Sequence, residues 1–340
     1  MRGSIVGTVL LSFILIFASL GSASSCEQFI APVDGGRRDV AGLIREGPDG
    51  IIEAENAQDG FNYASNAVRS AKGGFRQVLF PSGFGYTAGA TECYEVFEDP
   101  NAAQQRLRQA YFQAFIKAKA ELTRGLRGLQ GRGREILEEH IVEIDLALHS
   151  AYNPSSQCVA DLEQVIEGLV CGYVVYEVDH DPQNQEVYVA VVTTPRTAST
   201  IANLSDFVVS CTSIDYGIDY VIRQISYGVI PPIGGKLITV PATGEVALIS
   251  FGSEIIPRHE NPTVEETYSQ AAQRTAAISA KDAMIKMING PSRSGHLPVG
   301  VASQIYSNGS WIYVVNVYLP NAVREARRCY EEMQKVGLDS

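Results

Sequence analysis

Residues 188–195 read Tyr-Val-Ala-Val-Val-Thr-Thr-Pro, and residues 313–320 read Tyr-Val-Val-Asn-Val-Tyr-Leu-Pro. Both stretches are rich in the β-branched and aromatic residues that suit a half-buried strand. Both stop at a proline that opens a helical pattern. Upstream of each lies an alanine-rich helix pattern. Ala110, Ala114, Ala118 and Lys119 recur as Ala272, Ala276, Ala280 and Lys281, at the same spacing. Alanines four apart leave a flat strip on one helix face, so the helix can lie close on a sheet. The two coincident patterns predict an α+β fold of two helix-plus-antiparallel-sheet modules, an internal duplication that matches Tyr188 with Tyr313 and Pro195 with Pro320.

Around these anchors the chain divides by period. Asp99 reads as a helix N-cap with Pro100 at the first helical position. Leu107, Tyr111, Ala114, Phe115, Ala118 and Leu122 then fall on one helical face. Further helices are predicted over Glu135–Leu148 and Gln157–Val170. Tyr173–Val178 and Glu186–Val192 read as a hairpin, with Asp179–Asn184 as the connecting loop. Loop and helix follow Pro195 through Ile225. A second hairpin pairs Ile238–Val240 with Val246–Phe251 around Gly244. Thr263 and Glu266 form a capping box that opens a helix to Ile288. The strand Trp311–Leu319 and a helix from Asn321 to Val336 close the chain. Residues 27–60 read as an irregular lead-in, and residues 61–97, punctuated by Gly-Gly and Pro-Ser-Gly, as strands and turns. The expected division is residues 1–23 as a signal peptide, 24–98 as an irregular and strand-rich lead-in, 99–225 as the first module and 226–340 as the second.

The signal reading rests on Arg2, the apolar run Ile5–Leu20 and the small residues Gly21 to Ser25. The run is shorter than the roughly 20 residues a membrane-spanning helix needs. Cleavage after Ala23 is expected. The competing mode makes Cys26 a lipidated first residue, although Ala23 stands where such sites usually carry Leu. Either mode makes the protein exported, periplasmic or extracellular, with outer-membrane attachment only if Cys26 is lipidated.

Six cysteines, Cys26, Cys93, Cys158, Cys171, Cys211 and Cys329, can close three disulfides in an oxidising compartment. Cys158–Cys171 is the most local candidate pair. Buried free thiols are the other reading. Lys and Arg number 27 against 38 Asp and Glu, a formal charge of −11. That balance argues against nucleic acid as a partner. Arg124, Arg127, Arg132 and Arg134 alternate with glycine and read as a solvated loop.

The Ala-rich helix followed by a Tyr-Val-x-Val strand resembles exported bacterial envelope lipoproteins of the surface-exposed lipoprotein-twenty type. It is also similar to the amino-terminal domain of the flagellar T-ring assembly protein. The stretch Gly228 to Ser253, with Gly-Lys, Thr-Gly-Glu and Ser-Phe-Gly, resembles a family of exported bacterial proteins of no assigned activity. The resemblance covers Asp99 to Val323 and rests on composition. It implies an envelope structural or assembly role and brings no catalytic residues.

The motifs for chemistry do not assemble. His140, His149, His180, His259 and His296 make no His-x-x-x-His pair. Asp179-His180-Asp181 is the densest ligand-like cluster, and turn chemistry explains it better than a hard cation. Gly234-Gly235-Lys236 lacks the upstream glycine and the following Ser or Thr of a phosphate loop. Ser70-Ala71-Lys72 has the wrong spacing for a Ser-x-x-Lys pair, and no Gly-x-Ser-x-Gly elbow exists. Glu138, Glu139, Glu143 and Asp145 read as a solvated acidic face. Asn203-Leu-Ser205 and Asn308-Gly-Ser310 are glycosylation sequons. No catalytic, cofactor-binding or metal-binding residue is assigned, and no cofactor is expected. The expected function is a non-enzymatic envelope structural or assembly protein, partnered by other envelope proteins or by itself. The alternative is a periplasmic ligand-binding protein or hydrolase whose site is assembled from scattered residues.

Overall fold

The computed structural model describes residues 33–34, 39–48, 50–132, 167–290 and 295–324. The expected signal peptide, the helix over 135–148, most of the helix over 157–170, His140, His149 and the acidic face at 138–145 lie outside these residues. So do Cys26, Cys158 and Cys329.

Two sheets carry the fold. The first contains β1 (Val33–Asp34), β2 (Ile44–Glu46), β3 (Ile52–Ala54), β4 (Gly73–Phe80), β5 (Gly83–Cys93), β6 (Tyr173–Asp181) and β7 (Glu186–Thr193). Its helices are α1 (Ala57–Ser70) and α2 (Pro100–Arg132). A short helix α3 (Pro195–Thr200) leads to the second sheet: β8 (Ile201–Asn203), β9 (Val208–Cys211), β10 (Ile233–Val240), β11 (Glu245–Ile255), β12 (Ala302–Ser307) and β13 (Trp311–Tyr318). Its helices are α4 (Ile214–Ser226) and α5 (Pro262–Asn289).

The strand order is β1-β6-β7-β5-β4-β3-β2 in one sheet and β12-β13-β11-β10-β9-β8 in the other. Without β1 the two orders are the same, strand for strand. Each unit runs hairpin, helix, parallel strand, hairpin, long helix, hairpin. The final strand, β7 or β13, inserts antiparallel beside β5 or β11. One constant shift in numbering carries β5 onto β11, Pro100 onto Pro262, and Ala110, Ala114 and Ala118 onto Ala272, Ala276 and Ala280. Tyr188 faces Thr91 across the ladder, and its counterpart Tyr313 faces Ser253. Pro195 and Pro320 both open helices. The fold is therefore α+β with two similar modules.

The same alternation sorts both faces. Val187, Val189 and Val191 lie with Ala110, Ala114, Phe115 and Ala118 of α2. Tyr188 and Ala190 lie on the opposite face with Val68 of α1. In the second sheet, Ile312 and Val314 lie under Ala272, Ala276 and Ala280 of α5, while Trp311, Tyr313 and Val315 face α4. Burying these faces removes on the order of 25 cal/mol per Å² of apolar surface from water and is the main stabilising contribution.

Several expectations are corrected. The boundary at Asp99 divides the first sheet, because β5 is hydrogen-bonded to β7 from Tyr86 to Cys93. The boundary at 226 likewise separates α4 from the sheet it covers. The repeats run instead from β2 to β7 and from β8 to β13. The sheets are mixed, since β3–β4 and β9–β10 are parallel pairs bridged by α1 and α4. Ala57–Ser70 is a helix rather than strand and turn. Asn56 Oδ1 caps it by accepting from Asp59 N, and Phe61, Ala64 and Val68 are buried along it. Asp179–Asp181 belongs to β6, not to the loop. The turn is Pro182–Gln185, held by Asp181 Oδ1 accepting from the Gln183 and Asn184 amides at 3.0 and 3.1 Å. Asn261, not Thr263, caps α5, with Pro262 in the first turn. Arg124 and Arg127 lie on α2, where Arg124 pairs with Glu121. Of the cysteines, Cys93, Cys171 and Cys211 are free thiols among the described residues, and the expected disulfides that involve Cys26, Cys158 or Cys329 fall on residues outside them.

Candidate functional site

The residues weighed for chemistry do not converge. Gly234, Gly235 and Lys236 lie in β10, paired along β11. Gly234 stands against the Phe251 ring and Gly235 against Met287, so the two glycines make room for packing, not for phosphate. Lys236 is 9% exposed and its ammonium donates to the Asp206 carbonyl at 2.8 Å. Burial holds its pKa below the usual lysine value, with Asp206 opposing the shift and Lys119 adding to it. Lys72 pairs with Glu186, and Ser70 bonds back to the Asn66 carbonyl. The sequon residue Asn203 donates to the Cys171 carbonyl at 2.9 Å, and Asn308 donates to Tyr313 Oη at 3.2 Å.

His180 is the exception in having a built environment. A 2.6 Å hydrogen bond joins its Nε2 to Tyr94 Oη, and the Tyr111 ring lies edge-on to it. Burial lowers its pKa, against the opposing pull of Asp179 and Asp181. Asp179 is itself paired with Arg69 at 3.1 Å. Arg69 also pairs with Glu177, which is 3% exposed and accepts from Ser65 Oγ at 2.5 Å. This network fastens α1 to the first sheet and is enclosed by Tyr188, whose ring lies 4.9 Å from the Arg69 guanidinium carbon. Apart from the buried Nε of Arg69, its members pair with one another, which is what a structural network does. Among the described residues no group of three or more His, Cys, Asp or Glu could hold a metal ion.

One edge of the second sheet is unpaired among the described residues. β12 hydrogen-bonds β13 on one side only, and all six of its residues are exposed. Its sequence, Ala302-Ser-Gln-Ile-Tyr-Ser307, contains no charge and no proline. Sheet edges are ordinarily protected by charge, proline, bulges or a covering segment. The counterpart edge in the first sheet is covered over two residues: β1 pairs in parallel with β6, Val33 opposite Glu177 and Asp34 opposite Val178. The duplication thus presents the same edge twice, once partly paired by β1 and once, among the described residues, unpaired. Ile305 and Tyr306, 53% and 36% exposed, extend the open edge with apolar surface on both faces. β12 is not legible from residue pattern, because a strand exposed on every residue shows no buried alternation.

No family model matches the chain, and no curated protein matches it. Among solved structures it is similar to a hypothetical protein from Francisella tularensis, at 13% identity over 69% of this chain and 83% of that one, with a TM-score of 0.30. A likeness this slight carries no argument about fold or function.

Proposed function

We propose that the protein is a non-enzymatic exported assembly protein that pairs with a second copy of itself along β12. The observation that carries this is the uncharged edge of the second sheet, unpaired among the described residues, set against the edge of the first that β1 partly covers. Strand addition satisfies a row of backbone donors and acceptors at once, and side chains fix the register. A two-fold axis through Ile305 places Ile305 opposite Ile305 of the second copy, Gln304 opposite Tyr306 and Ser303 opposite Ser307. Apolar meets apolar, hydroxyl meets hydroxyl, and no like charges face each other. The pairing is closed, as a two-fold interface must be. The pattern of residues 1–26 supports export. The resemblance to envelope lipoproteins and to the T-ring protein gains no support from the comparisons.

Sedimentation equilibrium of the chain lacking residues 1–23 tests the reading. A dimer is expected, and Ile305→Lys, which sets two ammonium groups together at the axis, is expected to give monomer. A monomeric parent chain, or an Ile305→Lys variant that dimerises equally well, overturns it.

A further inference from the structure

A cleft of about 410 Å³ opens where the two modules meet. Three separate segments build it. Lys119 and Leu122 come from α2, Val170, Cys171 and Tyr173 from the chain entering β6, and Asn203 and Asp206 from the β8–β9 connection. The walls are fixed. Asn203 Nδ2 donates to the Cys171 carbonyl, and Asn203 Oδ1 accepts from Tyr220 Oη at 3.0 Å, which ties the second module to the first at the cleft.

Its charge is held differently. The Lys119 ammonium lies 5.4 Å from the Phe115 ring centroid and 5.5 Å from that of Tyr173. Its carboxylate partner is Asp206, at 3.7 Å, whose side chain is 100% exposed. A fully solvated partner at that distance contributes little. The amine of Lys236 donates to the Asp206 carbonyl, and Glu167 and Lys119 act in opposite senses on the Cys171 thiol. The cleft therefore offers a cation on an aromatic floor, an apolar wall from Leu122 and Val170, and a counter-ion that an incoming anion can displace.

The duplication shows that this arrangement is particular to one module. Lys281 occupies the place of Lys119 in the second repeat, at the same spacing from the alanine strip, and it is exposed, with no ion pair or ring contact among the described residues.

We infer that this inter-module cleft binds a small organic anion, an apolar or aromatic body carrying one carboxylate or sulfonate group, with its anionic group on Lys119. The inference does not depend on pairing through β12.

The test uses anilinonaphthalene sulfonate, which has this chemistry and fluoresces when it leaves water. Titration of the chain should give one saturable site. Lys119→Met should weaken binding at least tenfold, and Lys281→Met should leave it unchanged. Asp206→Asn removes the competing carboxylate and should tighten binding, which keeps the test decisive if Lys119→Met does not fold. Bound dye should also slow alkylation of Cys171 without slowing that of the exposed Cys93. Equal affinity in the parent and Lys119→Met chains, an equal loss in Lys281→Met, or weaker binding in Asp206→Asn would overturn the inference.

Discussion

Gly252 of β11 lies directly against the backbone of Ala280 in α5: a Cβ added to the glycine would stand 2.7 Å from the Ala280 amide nitrogen and collide with the Ala276 carbonyl. The neighbouring Ser250 Oγ donates to the Ala280 carbonyl at 2.8 Å. The alanine strip is therefore one half of a contact whose other half is a strand of small residues. In the first module Ala88 and Ala90 take the corresponding places under α2.

Gly252→Ala should then destabilise the protein by about 1–3 kcal/mol, because backbone must move to admit the methyl group. Urea denaturation measures it. Gly244→Ala, at a turn glycine with φ of 71° and open space around it, tests backbone strain alone and should cost about 1–2 kcal/mol with no loss of helix packing.

Arg108 presents the opposite case. It is 7% exposed and lies over Trp311 and Tyr313, with its guanidinium carbon 4.5 and 5.4 Å from the ring centroids. None of its three guanidinium nitrogens meets hydrogen-bond geometry with a partner among the described residues, and the nearby Tyr313 hydroxyl opposes the burial that lowers its pKa. A buried charge held mainly by rings is expensive, and an apolar side chain of similar volume replaces such groups at little or no cost. Arg108→Met should leave the unfolding free energy equal to or above that of the parent. Trp311→Ala, which opens a void at the same junction, should lower it by about 3–5 kcal/mol.

His180 sets a pH dependence whose sign follows from its burial. Its pKa is lowered from the ordinary 6.5 by desolvation, with Asp179 and Asp181 opposing. The unfolded chain therefore takes up a proton before the folded one does. The His180 contribution is complete above pH 6.5 and is lost as pH falls from there through the lower folded value. Denaturation midpoints compared on either side of that window should fall on acidification, and His180→Gln should flatten the slope. A parent chain that gains stability on acidification, or a variant with an unchanged slope, contradicts this.

What was legible in the sequence tracks how strongly a segment's period is imposed by burial. The hairpins β6–β7 and β10–β11 and the helices α2 and α5 alternate cleanly or carry a stripe, since each buries one defined face. α1 hid its helix behind Asn62 and Ser65, polar residues buried in hydrogen bonds to Tyr176 and Glu177 and so absent from an apolar count. β8 and β9 are too short to show a period. Asp179 and Asp181 read as turn residues, yet Arg69 and the turn amides hold them in and beside the strand. Lys119 was visible as half of a repeat with Lys281. Its cleft was not, because Cys171 and Asp206 reach it only through the folded topology.

The pairing proposed for β12 is tested most directly by its register. A thiol introduced by Ile305→Cys would face its equivalent in the second copy, and directly opposed strand residues lie within disulfide reach. A thiol introduced by Tyr306→Cys would face Gln304, leaving its own equivalent diagonal and about 7–8 Å away. Mild oxidation followed by mass mapping should give a dimer joined through the introduced thiols in Ile305→Cys and none in Tyr306→Cys. No such link in Ile305→Cys, or equal linking in both variants, would contradict the account.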